Sequence, residues 1–457
     1  MGEISLKLAF NLTFNKCTSR GKNLNLHKIL KYILLFFCYS NLVLFLFLTI
    51  VYVFFDNTFI GFVVGIIYPG IAPLLCLVYI VSGLIIVRFS FMKNTRLDRL
   101  GAFTIIGICA FMLIVAFIPY MLIPYRLQDA ENQFFQTYGA TYANLTTSNM
   151  RPVPYSIYDN IFGFPIDEGK FSVTTNILYL NNGNDSFYFD WYKPNGDGPF
   201  PVIIAIHGGG WVIGNKGGGN VIPFNKYFAS KGYVVFDLQY GVYDVTNLPE
   251  MGDFSKAFAM ISSLITPKYN SSYTIQQQLE NIGYFTKILE ANRTKYHADL
   301  NRTFIVGRSA GGHMASIVTL GYKNPLFAGN FSSIMNITAG IWFYPPTNLT
   351  KSRSPFFDKL LVGSLPLDLQ YNKFSASFLV KNSTVVPPIM MIQGDKDGVV
   401  GYPANLEFQA YAKSLNKTCI FVTIPWAGHA PDINFQTYGG QISTYYVERF
   451  MALTLGG

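Results

Sequence analysis

The stretch FIVGRSAGGHMAS, residues 304 to 316, sets a serine between glycines, Gly307-Arg308-Ser309-Ala310-Gly311, and His313 follows four positions later. A serine hydroxyl becomes a nucleophile when a neighbouring base takes its proton. Gly-X-Ser-X-Gly suits that chemistry where a strand turns sharply into a helix. The turn exposes the serine oxygen, and glycines avoid side-chain clashes. Here the apolar run TFIV precedes Ser309, and HMASIVTLGY, with helical spacing, follows. The five-residue pattern alone is weak, and a glycine-rich turn without chemistry is the plain alternative. About a hundred residues earlier, His207-Gly208-Gly209-Gly210-Trp211 closes the run PVIIAI. Acyl transfer builds negative charge on a carbonyl oxygen, and backbone N–H groups of such a loop stabilise it. Gly214, Gly217, Gly218 and Gly219 follow, so a merely flexible loop is the rival reading.

The serine needs a base, and the chain has five histidines. His27 precedes the first apolar run. His207 belongs to the glycine loop and is expected to brace it. His297 sits in KYHADLN, a surface turn. His313 lies one helical turn after Ser309 and is expected beneath the turn. His429, in PWAGHAPD, follows the last apolar strand, where a loop brings its imidazole over the serine, so it is the preferred base. The imidazole needs an acid to orient it. IQGDKDGVV offers Asp395 and Asp397, and spacing does not decide between them. Asp432 is near His429 and reads as a loop residue.

These clusters sit at the ends of apolar runs. KFSVTTNILYLN and DSFYFDWYKP read as a hairpin, and PFPVIIAI, YVVFDLQY, TFIVGRS, VVPPIMMIQGDKD and CIFVTIPWAGH as further strands. IQQQLENIGYFTKILEAN and ISTYYVERFMALTL have helical spacing. Buried strands alternating with helices predict a mostly parallel sheet covered on both faces, with the ligand at the carboxyl ends of the strands.

HGGGW, GRSAGG, GDKDGVV and AGH, in this order, resemble the α/β-hydrolase superfamily, in particular its hormone-sensitive-lipase and carboxylesterase branch with ferulate-esterase-like relatives. The resemblance spans about residues 170 to 455. It implies an α/β-hydrolase fold and a Ser-Asp-His order. The family's acid loop, Gly-X-X-Asp-X-X-Val, is matched by Gly394, Asp397 and Val400, so the resemblance favours Asp397. It carries the base to His429 and the oxyanion donors to the N–H groups of Gly209, Gly210 and Ala310. Arg308 departs from the lipase branch, where Asp is common. Residues 325 to 385 occupy the place of a cap. There Phe356 and Phe357, with Trp211 of the glycine loop, are candidates for lining a substrate pocket, core packing being the alternative.

The resemblance does not explain the N-terminal part. Half of the 457 residues are hydrophobic and only 13% are charged. Apolar runs at about 32–55, 60–87 and 101–124 contain no Lys, Arg, Asp or Glu, and the only charge between the first two is Asp56. Each is long enough to cross a membrane. Residues 1–100 hold ten basic and three acidic residues of a chain with net charge +9. That excess flanks the runs on one side and predicts a cytoplasmic basic N-terminus (1–31), three crossings and an extracytoplasmic remainder. The charge thus reports membrane topology, not nucleic-acid binding. Asn-X-Ser/Thr acceptors agree with an outside location: only Asn11 precedes residue 125, and Asn144, Asn184, Asn270, Asn292, Asn301, Asn330, Asn336, Asn348, Asn382 and Asn416 follow it. Residues 125–170 read as a connector and 171–457 as the hydrolase domain.

The resulting expectation is a membrane-anchored serine esterase or lipase acting on a small-molecule or lipid ester, without cofactor or metal. A serine peptidase or acyltransferase on the same fold is the nearest alternative. A non-catalytic adhesion or binding module is the alternative of another class, although such modules usually lack a triad member. Oligomeric state is left open.

Overall fold

The computed structural model describes residues 26–456 except 57, 219–220, 245, 247–265 and 328. Gly219, Asn11, Cys17 and the basic residues Lys7, Lys16, Arg20 and Lys22 lie outside the described residues. Three long apolar helices come first: α1 (Leu26–Phe54), α2 (Phe59–Ser90) and α3 (Arg96–Tyr138). Each is long and apolar enough to cross a membrane. Pro69 and Pro73 stand inside α2, and Pro119 and Pro124 inside α3; in apolar surroundings neighbouring groups re-satisfy the freed carbonyls.

The chain divides into two compact units. One comprises the residues up to Phe45 together with Val78–Cys109. Within it, Tyr39 donates to Ser90 Oγ at 3.2 Å and Cys109 Sγ lies 3.7 Å from the Tyr79 carbonyl. The other comprises Leu46–Leu77 and Ala110–Gly457 and holds the sheet.

Residues 125–138, read from sequence as irregular connector, continue α3. Leu127, Ala130 and Phe134 recur at helical spacing and pack into the core on one face of the sheet, with Ala130 and Phe134 buried. Gln133 brackets β8 (Cys419–Ile424), accepting from Phe421 N and donating to its carbonyl, both at 3.0 Å. The polar residues between these positions hide the stripe in the sequence.

The remaining strands are β1 (Phe171–Asn181), β2 (Ser186–Pro194), β3 (Phe200–Ile206), β4 (Val234–Leu238), β5 (Ala298–Arg308), β6 (Ile337–Phe343) and β7 (Ile389–Gly394). They form one sheet in the order β1-β2-β4-β3-β5-β6-β7-β8. β2 is antiparallel to β1 and β4; the other pairs are parallel. The described helices of this part are α4 (Val221–Ser230), α5 (Ile275–Ala291), α6 (Ala310–Gly321), α7 (Tyr402–Ser414) and α8 (Tyr438–Thr454), beside shorter ones. Strand alternation sends Val202, Ile204 and Ile206 of β3 to the core shared with α5, α6 and α7. It sends Ile203 and Ala205 to the core shared with α3, α4 and α8. Both faces are therefore covered, as parallel sheets require.

One further expectation is corrected. β6 passes through the stretch assigned to a cap, so the insertion is confined to the short helices between β6 and β7, among them Pro355–Leu360, Leu367–Lys373 and Ala376–Asn382. ITAGIWF hides its strand character because Ala and Gly are poor strand formers. Here Gly340 is required: a Cβ would stand 2.6 Å from Thr319 Oγ1 of α6 and 2.5 Å from Trp342 Nε1.

Candidate active site

β5 runs directly into α6, and Ser309 is the hinge residue, with φ 54° and ψ −122°. A non-glycine residue there is strained by about 1–3 kcal/mol. The surroundings leave it no alternative. Ser309 N donates to the Phe343 carbonyl of β6 at 2.9 Å, and its own carbonyl accepts from His313 N at 2.9 Å. The glycines on either side admit backbone against backbone: a Cβ on Gly307 would lie 2.0 Å from the Gly311 carbonyl, and one on Gly311 2.2 Å from the His207 carbonyl. The turn thus presses against the glycine loop that ends β3.

His429 Nε2 lies 2.9 Å from Ser309 Oγ, and His429 Nδ1 lies 2.9 Å and 3.1 Å from the two oxygens of Asp397. The carboxylate is also held by Gln393 Nε2 at 3.0 Å and by Val399 N and Val400 N at 2.9 Å. Its lone pairs face donors throughout, so Nδ1 carries a proton toward it and Nε2 is left to accept from serine. Asp395, the other acid of that loop, faces away. It pairs with Arg126 of α3 at 3.0 Å and accepts from Trp426 N at 2.6 Å.

The other histidines have structural partners. His313 is fully buried; its Nε2–H donates to the Phe374 carbonyl at 2.7 Å, and Nδ1 accepts from Trp211 Nε1 at 3.2 Å. Burial lowers its pKa to about 4. His207 stacks on Tyr240 at 4.2 Å and donates to the Gly208 carbonyl at 2.8 Å, and burial lowers its pKa to about 4 as well. Both are neutral braces of the glycine loop. His297 lies 2.5 Å from the Asp197 carbonyl, in the turn before β5.

Gly209 (φ 126°) takes a conformation natural only to glycine, and Gly210 (φ 59°) lies in the left-handed region that favours it. A Cβ on Gly209 would stand 2.0 Å from the Ile213 carbonyl. Ala310 opens α6, so its N–H has no acceptor within the helix. Ala310 follows Ser309 directly in the chain, and Gly209 and Gly210 line a cavity of about 960 Å³ that also reaches Ser309 and His429. Trp211, Phe356 and Phe357 line it too, Trp211 meeting Phe357 edge-on at 5.2 Å. Leu360 and Leu361, by contrast, are core.

Sequence reading missed a buried ion pair beneath the site. Arg308 Nε donates to Asp432 Oδ2 at 2.6 Å, and the guanidinium lies over the rings of Phe224 and Phe343 at 4.6 and 4.4 Å. Tyr344 donates to the other Asp432 oxygen at 2.8 Å and packs edge-on against His429 at 4.6 Å. The residue before the serine is thereby tied to the residue three after the histidine. The only signal was the adjacency of Arg308 and Asp432 to motif residues. A second buried acid, Asp237 of β4, accepts from Gly217 N at 2.8 Å and is otherwise poorly compensated; burial pushes its pKa up to about 7.

Residues 189–263 and 254–411 match the BD-FAE family. Among curated proteins, the chain is 22% identical over 269 residues to the probable carboxylic ester hydrolase LipM of Mycobacterium tuberculosis, covering 56% of each chain. It is 27% identical over 222 residues to the isoprenylcysteine alpha-carbonyl methylesterase ICME of Arabidopsis thaliana, covering 46% of this chain and 45% of that one. The chain spans about half the length of these relatives. Among solved structures, esterase B from Lactobacillus rhamnosis is 18% identical, with a TM-score of 0.48 over 72% of this chain and 95% of that one.

Proposed function

We propose that this chain, which belongs to the α/β-hydrolase superfamily, is a serine hydrolase of carboxylic esters held at a membrane by its three N-terminal helices. The observation that carries the reading is the unbroken line Ser309 Oγ–His429 Nε2, His429 Nδ1–Asp397, at 2.9 Å each, with Ser309 and His429 lining a cavity. His429 takes the proton of Ser309 as its oxygen attacks the ester carbonyl. Asp397 holds and stabilises the imidazolium. The oxyanion receives the N–H groups of Gly209, Gly210 and Ala310, each donor supplying about 3 kcal/mol in the transition state. His429 then protonates the leaving alcohol. Water, deprotonated by the same histidine, releases the acid from the acyl-serine. Trp211, Phe356 and Phe357 form one apolar wall of the substrate site. The ester hydrolase LipM and the methylesterase ICME, to which the chain is similar, support an ester as substrate class.

The basic flanks of the helices support a cytoplasmic N-terminus and an extracytoplasmic hydrolase domain. The test is hydrolysis of p-nitrophenyl esters by full-length protein in detergent, beside Ser309→Ala, His429→Ala, Asp397→Asn and His313→Ala. The first three are expected to lower kcat by about 10⁴-fold or more. Undiminished activity in Ser309→Ala would end this reading. Activity lost in His313→Ala and kept in His429→Ala would exchange the base.

A further inference from the structure

Part of the wall of the cavity comes from a helix that reads as a membrane span. Phe62 and Ile66, one turn apart near the start of α2, line the same cavity as Ser309 and His429. The Phe62 ring lies 6.1 Å from the His429 ring. One residue before His429 the two backbones meet: a Cβ on Gly428 would stand 3.3 Å from the carbonyl of Gly65. The loops bearing the histidine and the acid also hold the end of α1 and the outer part of α3. Tyr52 of α1 donates to the Trp426 carbonyl, Lys396 donates to the Val53 carbonyl at 3.2 Å, and Arg126 of α3 pairs with Asp395.

Aromatic and basic residues also gather at this level of the helices. Tyr52 and Tyr68 meet at 5.2 Å between ring centres, and Tyr120 donates to the Pro69 carbonyl at 3.2 Å, so three tyrosines of three helices stand together. Lys396 lies over the rings of Trp426 and Tyr52 at 4.6 and 5.5 Å. Tyr, Trp and Lys concentrate where a membrane meets water. Ile66 precedes Tyr68 by half a turn, and Phe62 by six residues, about 9 Å along the helix. The side of α2 turned away from the cavity stays apolar over this stretch, with Ile60 54% and Ile67 53% exposed. Such a surface is stable in contact with lipid and costly in water. Val399 and Ile433, which also line the cavity, are 48% and 42% exposed, so apolar surface borders the site there as well.

We propose that the cavity takes its substrate from the bilayer: an ester whose apolar chain remains in or near the lipid phase and lies along Phe62 and Ile66 while its carbonyl meets Ser309. On this view α2 is part of the substrate site and not only a tether, and Phe62 and Ile66 determine chain-length preference. The proposal rests on the serine-esterase reading above and deepens it.

The experiment uses full-length protein in lipid nanodiscs. It compares p-nitrophenyl acetate with p-nitrophenyl palmitate for wild type, Phe62→Ala, Ile66→Trp and Ser309→Ala. Narrowing the wall in Ile66→Trp is expected to lower the palmitate-to-acetate ratio of kcat/KM about tenfold. A merely structural defect lowers both rates together and leaves the ratio. Palmitate hydrolysis by the wild type is further expected to track the mole fraction of ester in the disc lipid at constant total ester. An unchanged ratio in both wall variants, or a rate set by aqueous ester alone, overturns the proposal. No Ser309-dependent hydrolysis of either ester overturns the esterase reading instead.

Discussion

The residue before the candidate nucleophile carries a charge that the site does not use in chemistry. Arg308 and Asp432 are both buried and pair at 2.6 Å, while Tyr344 bonds the same carboxylate and packs on His429. Removing one partner strands the other charge, at a cost of about 3–5 kcal/mol. Asp432→Leu is therefore expected to destabilise by that amount in denaturant titrations, and Arg308→Met combined with Asp432→Leu to recover most of the loss. Recovery absent from the double variant would show that the pair is not what links the loops. Asp237 gives a pH signature of its own. Its folded pKa is near 7 and its unfolded value near 4, so between these values the folded chain binds the extra proton. Stability from this group is thus lost as pH rises from about 4 to 7. Asp237→Asn is expected to raise Tm relative to wild type at pH 8, with the difference shrinking toward pH 4. His207 and His313 act oppositely: both pKa values are lowered to about 4, so the stability they contribute is present above about 6.5 and lost as pH falls toward 4.

At the scale of elements, α6 is held against β3 by contacts that leave no room for a side chain. Gly311 of α6 faces the His207 carbonyl so closely that a Cβ would stand 2.2 Å from it. Gly311→Ala is expected to cost several kcal/mol, by overpacking at a backbone that cannot yield. Gly401→Ala, at a site where the nearest atom is 3.9 Å away, is expected to change stability by less than about 0.5 kcal/mol. Thermal unfolding of the two variants separates crowding at the turn from a general effect of losing glycine. The α3 extension makes a similar point. Phe134 is fully buried against α8, stacked on Tyr446 at 5.4 Å, so the core beneath the sheet includes the end of an apolar helix.

For the whole molecule, the proposed topology has a direct test. All ten Asn-X-Ser/Thr asparagines after residue 125 are at least partly exposed. If the hydrolase domain is extracytoplasmic, expression in a glycosylating eukaryotic host should give a protein whose apparent mass falls on treatment with an N-glycosidase. An unchanged mass, together with protease protection of the N-terminus from outside being absent, would reverse the orientation. Such a reversal would leave the chemistry proposed for Ser309 untouched but would place the site on the cytoplasmic face.

The sequence by itself determined the features that depend on neighbours along the chain. The apolar helices, the strand-turn-helix around Ser309 and the glycines after β3 are legible because period and backbone freedom are local properties. The hairpin and most of the parallel strands are legible for the same reason. β6 was not, since its glycine and alanine serve packing against α6 and carry no strand pattern. Tertiary structure alone decided what depends on residues far apart in sequence. The residues left Asp395 and Asp397 open, and the resemblance favoured Asp397. The fold sets Asp397 on His429 and Asp395 on Arg126, 269 positions away. Likewise nothing near Phe62 in the chain announces a partner in His429. That contact exists because a helix end and a loop after the last strand converge, and convergence is fixed by packing, which no periodicity records.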